Sequence, residues 1–217
     1  MERAEDPLFT VHPEEGRISW SISGLRKFGQ DLGFSAEQAD RISLTLLFQL
    51  FWARLEPMRF GSHFDIVAEL RYLEGGRPAN TKPEDQFTRL PLKGLWKKHY
   101  RKADMASFVL NLRNENGPKG KHLLRVIEEE FAAEQSGYFT MELGGRIAHR
   151  AVFDFYANRS QERRMTGEWI IFAEHEGQRY YLCVGSHKTT DADHHAFIVR
   201  NCAWEFPFLK QRLPAAA

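Results

Sequence analysis

Residues 169–185 read Trp-Ile-Ile-Phe-Ala-Glu-His-Glu-Gly-Gln-Arg-Tyr-Tyr-Leu-Cys-Val-Gly. Two apolar, β-branched and aromatic runs, Trp169–Glu174 and Tyr180–Val184, flank Glu176-Gly177-Gln178. That is the pattern of a β-hairpin closed by a tight turn. A lone hairpin is marginal in water, so its apolar residues call for more strands or a helical layer. Upstream, Phe64, Ile66, Ala68, Leu70 and Tyr72 alternate with Asp65, Val67, Glu69 and Arg71, which predicts a strand over 64–73 in the same sheet, ended by Gly75-Gly76. Residues Ala148–Ala157, where Phe153 and Phe155 alternate with Asp154 and Tyr156, predict another strand.

Much of the remaining chain has helical spacing. Leu25, Phe28 and Leu32 recur three to four residues apart and Gly33 stands where a left-handed cap would end the helix. Ser35-Ala36-Glu37-Gln38 has the form of a capping box and opens a helix running to about Leu55, stopped by Pro57. After Ser43 that helix is apolar nearly all round, interrupted by Gln49, and is expected to be buried on several sides. Further helices are predicted over 95–112, 122–134 and 191–203. Residues 1–20 read as an extended arm and 74–86 as a polar loop. Helices dominate 21–134 and strands dominate 148–185, so the expected class is α+β. One composite domain, 1–217, would pack an antiparallel sheet against a helical N-terminal and central region, the sheet coming mainly from the C-terminal third plus 64–73.

The chain has 217 residues, 42% of them hydrophobic, with 17 Phe, 6 Tyr and 5 Trp, enough to fill a core and to exclude bulk disorder. The charged N-terminal residues lack the apolar segment of a signal peptide. The most apolar run, Leu44–Ala53, is shorter than the roughly 20 residues of a membrane span. Cys183 and Cys202 sit in apolar surroundings without zinc spacing and are expected as buried thiols. A soluble cytoplasmic protein is the expectation.

The net charge of +1 gives no global polyanion signal, but residues 82–125 carry 11 Lys and Arg against 4 Asp and Glu. The centre of this excess is Lys93-Gly94-Leu95-Trp96-Lys97-Lys98-His99-Tyr100-Arg101-Lys102. On a helix, Lys97 and Arg101, Lys98 and Lys102, and Trp96 and Tyr100 stack at i,i+4. Cations interleaved with aromatic rings suit phosphate and base contacts. Lys93, Trp96, Lys97, Lys98, Tyr100, Arg101 and Lys102 are therefore candidate nucleic-acid contacts, unless Trp96 and Tyr100 turn to the core. His187, His194 and His195 with Asp191 and Asp193 hold ligand types suited to Zn, Mn or Fe but lack a recognised metal spacing, so no metal or cofactor is expected. Phosphate-loop, dinucleotide and hydrolase motifs do not occur. At the exit of the hairpin, Gly185-Ser186 turns the backbone and His187-Lys188 follow, an acid/base group beside a phosphate-holding cation; His99 is a second acid/base candidate.

An aromatic strand, an acidic-Gly turn, and a strand ending in a small residue, His and a base resemble the final hairpin of RelE-like and HigB-like ribonuclease toxins of the barnase–EndoU–RelE architecture. The resemblance covers about 20 residues, in a chain much longer than those toxins. The Arg and Tyr of that family after the last strand are replaced by Lys188 and the Asp191–His195 run. It implies a metal-independent ribonuclease or related toxin or defence protein, with catalysis by His187, Lys188 and His99. The alternative is a non-catalytic binding or regulatory module that docks nucleic acid or an acidic protein. A third reading is an interaction protein whose aromatic segment Trp204–Leu209 packs on another subunit, as in a homodimer.

Overall fold

In the computed structural model, residues 9–11, 18–56, 62–77, 81–101, 105–117, 120–134, 138–162 and 168–214 are described. The quoted hairpin forms. Strands β5 (Glu168–His175) and β6 (Gln178–Gly185), numbered in chain order with those introduced below, pair antiparallel. Glu176 and Gly177 both have positive φ, 50° and 74°. Such a two-residue turn matches the strand twist, and its second position suits glycine. Ahead of them, β3 (Asp85–Gln86) and β4 (Trp96–Tyr100) complete a four-stranded antiparallel sheet of order β3-β4-β5-β6. The fold is α+β.

Helices cover both faces of this sheet. On one face, Tyr100, Ile170, Phe172 and Tyr181 share a buried cluster with α1 (Ile22–Asp31), α3 (Leu44–Leu55) and α4 (His63–Leu73). On the other, Ile171, Ala173 and Leu182 pack with Phe87, Leu92 and Leu95 of the β3–β4 connection and with α9 (Asp191–Cys202) and α10 (Leu209–Arg212). The Ser35–Gln38 capping box is present, but its helix α2 ends at Asp40. Ser43 then caps α3 afresh, its hydroxyl accepting the Leu46 N–H. Leu46, Leu47 and Leu50 are completely buried. Of the predicted arm, Phe9–Val11 and Ile18–Trp20 are the described parts, pairing as β1 and β2; the rest of it lies outside the described residues.

Between β4 and β5 the chain leaves the sheet to build a helical unit: α5 (Met105–Asn116), α6 (Lys121–Ala133), α7 (Met141–His149), a π-helical turn (Arg150–Asp154) and α8 (Phe155–Gln161). Glu130 of α6 and Glu134, which caps its C-terminus, bind Arg146 of α7, and Glu129 and Glu130 bind Arg150. The buried Arg159 of α8 reaches Asn111 and Glu115 of α5.

Three predicted elements are corrected. Segment 64–73 is helix α4, not a strand in the sheet. Its buried residues His63, Ile66, Val67, Leu70 and Leu73 follow helical spacing, while Phe64 is 72% exposed, and Ser62 caps its start. Residues 148–157 are helical, with Phe155 buried and Phe153 exposed, because Thr140 has already opened α7. The helix predicted over 95–112 is strand β4 followed by α5 from Met105. Positions 96, 98 and 100 lie on one face of a strand as readily as 96 and 100 do on a helix. The helices predicted over 122–134 and 191–203 form as α6 and α9. No described helix is long and apolar enough to cross a membrane.

The face under α4 contains a buried ion pair. Lys98 Nζ lies 3.1 Å from Glu69 and 2.6 Å from both Thr81 Oγ1 and the Lys82 carbonyl. Removing one partner strands the other charge in the core. Lys98→Met is expected to cost about 3–5 kcal/mol, and the double variant Glu69→Leu/Lys98→Met to recover most of that. Urea unfolding of the three proteins measures both; equal losses in the single and double variants would contradict it.

Candidate functional site

The candidate chemistry converges on one end of the sheet, where Tyr100 pairs with Glu168, His99 with Trp169, and Trp169 with Gly185. Because side chains alternate along a strand, this end presents different residues to its two faces.

On the α9 face, the Trp169 indole N–H donates to His99 Nε2 over 3.1 Å. An indole nitrogen only donates, so neutral His99 carries its proton on Nδ1. The exposed His187 ring lies against both, 4.2 Å from the Trp169 ring centre and 5.8 Å from that of His99 at 29°. Lys97 Nζ stands 5.4 Å from the Trp169 ring and 3.6 Å from Asp85. Burial, then the charges of His187, Lys82, Lys97 and Lys98, hold His99 down at about 3. The backbone beyond β6 is fixed by Glu168, whose carboxylate accepts the Ser186 hydroxyl and the His187 N–H. A Cβ on Gly185 would stand 2.9 Å from Ile171 and 3.0 Å from His194, so glycine there lets α9 close over the strand end.

The other side of the same strand end opens into a cleft with two lobes. A lobe of about 600 Å³ lies between α3 and α9 and is lined by Leu44, Phe48, Trp52, Ala53, Ile66 and Trp204. A lobe of about 380 Å³ is lined by Tyr100, Glu168, Ser186, Thr189, Asp193 and His194. Gln49, Val184 and Phe197 line both, so the lobes are neighbours. Gln49 Oε1 accepts the Val184 N–H at 2.8 Å. That bond fixes the amide orientation, because a backbone N–H needs the oxygen.

The structure therefore joins His99 and His187, with Lys97 beside their tryptophan, but scatters the rest of the predicted basic surface. Trp96 is half-buried and stacks on Phe172, Tyr100 is in the core, and Lys98 is consumed by Glu69. Arg101 faces Asp65 at 3.5 Å on a neighbouring element, Lys93 and Lys188 are exposed, and Lys102 lies outside the described residues. The basic aromatic helix is thus corrected to a strand with alternating faces. His194 and His195 are buried, each Nε2 donating to a carbonyl, Ser186 and Pro214 respectively. Among the described residues no group of three His, Cys, Asp or Glu side chains is placed to hold a metal ion. Burial raises the Cys183 thiol and pushes Cys202 up to about 12, keeping both protonated. Glu168, Trp169, Phe197 and Trp204 were not singled out for this site by sequence. Gln49 had one visible signal, as the polar interruption of an apolar run. Comparison with protein families, curated proteins and solved structures finds no match to the chain.

His99 gives this end of the sheet a pH dependence. The unfolded chain takes up a proton on this residue near pH 6.5, whereas the folded chain does so only near 3. The stabilisation is complete above the higher value and is lost as pH falls through the window, at about 1.4 kcal/mol per pH unit. His99→Gln, which still offers an oxygen to Trp169, is expected to flatten stability against pH between those limits. Denaturation midpoints read at several pH values check it; an unchanged profile would refute the assignment.

Proposed function

We propose that the chain is a ligand-binding module whose cleft at this sheet end takes an amphipathic small molecule. The observation that carries this reading is the continuity of an apolar lobe with a polar one across Gln49, Val184 and Phe197. Volumes of roughly 300–1,000 Å³, mainly apolar walls and a few convergent polar groups are the usual features of small-molecule sites. Phe197 and Trp204 are 39% and 52% exposed, apolar surface that a ligand would cover. N-phenyl-1-naphthylamine, a neutral apolar fluorophore, should bind in one-to-one stoichiometry with enhanced emission. Phe197→Ala/Trp204→Ala should weaken it by about tenfold, the loss expected on removing apolar wall area, with little change in melting temperature because both residues are partly exposed. An absence of wild-type binding would overturn the reading.

The contact between His99 and His187 favours a second reading, metal-independent cleavage of RNA. Here His187 would be the acid/base group, Lys97 and Lys188 would meet phosphate, and His99 would position the ring. Each phosphate contact should add about −0.7 to the slope of log K against log salt for a single strand. A short labelled RNA should then be cut by wild type and left intact by His187→Ala. Intact RNA with both proteins would remove this reading.

A further inference from the structure

The polar lobe has an acidic lining. Among the residues lining either lobe, Glu168 and Asp193 are acidic and there is no Lys or Arg. The Glu168 carboxylate is oriented by Ser186 and the His187 backbone, and Asp193 by Thr190 at the first turn of α9. The positive end of the α9 dipole also opens here and is offset by Asp191 and Asp193. His194 Nε2 donates to the Ser186 carbonyl, which holds its ring against the lobe. The Phe197 ring, shared by both lobes, stands where an apolar tail would meet a polar head. Carboxylates with aromatic faces recognise ammonium groups, whereas an anion would meet repulsion and few donors. One donor does stand at the junction. The Gln49 oxygen is held by Val184, so its NH₂ is left to bind a carbonyl oxygen.

Building on the binding reading above, we propose that the cleft takes a cationic amphiphile: an apolar chain in the large lobe, a carbonyl at Gln49, and an amine or quaternary ammonium head between Glu168 and Asp193. The shape is that of a mono-acylated diamine or an acyl ester of an amino alcohol.

Decanoylcholine, decyltrimethylammonium, decanol and decyl sulfate, each below its micellar concentration, test this by calorimetric titration of the full chain. Decanoylcholine is expected to bind tightest, decyltrimethylammonium next, and decyl sulfate at least about tenfold more weakly than either cation, the scale of a desolvated cation–π contact with a carboxylate beside it. Glu168→Gln should lower the affinity of both cations by about tenfold while leaving decanol unchanged, a split that a folding defect would not produce. Equal binding of all four would overturn the charge assignment and leave the cleft reading standing. Failure of all four, and of the neutral fluorophore, would overturn both.

Discussion

Residues 41–43 lie along the free edge of β6, and most of the architecture depends on that contact. The Tyr181 N–H donates to the Arg41 carbonyl and the Ser43 N–H to the Tyr181 carbonyl, a short parallel bridge, while the Ser43 hydroxyl donates to the Leu182 carbonyl. An open strand edge invites aggregation, and this one is closed by the segment that starts α3. Charged groups secure both ends of the contact. Arg41 and the Tyr181 hydroxyl meet on Glu74, whose carboxyl they hold low against the effect of burial. Arg26 binds Glu205, which also accepts the first N–H of α3. With α3 fixed to β6 and α9 folded back over Gly185, the two helices leave the cleft between them.

The sheet separates two kinds of chemistry by strand alternation alone. Odd positions of β4, Lys97 and His99, go to the α9 side with Trp169. Even positions, Trp96, Lys98 and Tyr100, go under α4, where Lys98 forms an internal ion pair rather than a surface contact. Five neighbouring residues that look like one basic aromatic surface thus belong to two environments. Glu168 connects them: it lines the cleft, and its carboxylate sets the backbone that lays His187 on Trp169.

Local signals in the sequence were legible. The hairpin, the Gly33 cap, the Ser35 capping box and α9 each rest on residues a few positions apart. The 64–73 segment was not, because Ile66 and Leu70 satisfy both a two-residue and a helical period. Val67 and Leu73, buried on the helix, distinguish the two, and the Ser62 cap agrees with them. The same ambiguity misplaced 96–100 and 148–157. At the site, His99 and His187 were legible as chemistry, but the Trp169 hydrogen bond that fixes one and supports the other depends on strand register. The cleft was hidden altogether, since its walls come from α3, α4 and α9 and meet only after the sheet has formed.

Helices α5 to α8, which begin at Met105 and end at Gln161, are spliced between two strands that are neighbours in the sheet. Closing such an excursion adds only about 0.6 kcal/mol for each doubling of its length, so equilibrium stability barely registers it. Folding order does. The β5–β6 hairpin joins residues close in the chain and can form early, whereas β4 must find β5 across the whole excursion, a contact of high sequence separation that slows assembly. Helices α5–α8, linked to one another by the Glu130–Arg146 and Arg159–Glu115 pairs, shorten that search if they collapse first. The pairing of His99 with Trp169 and of Tyr100 with Glu168 would then be among the last contacts of the sheet to form.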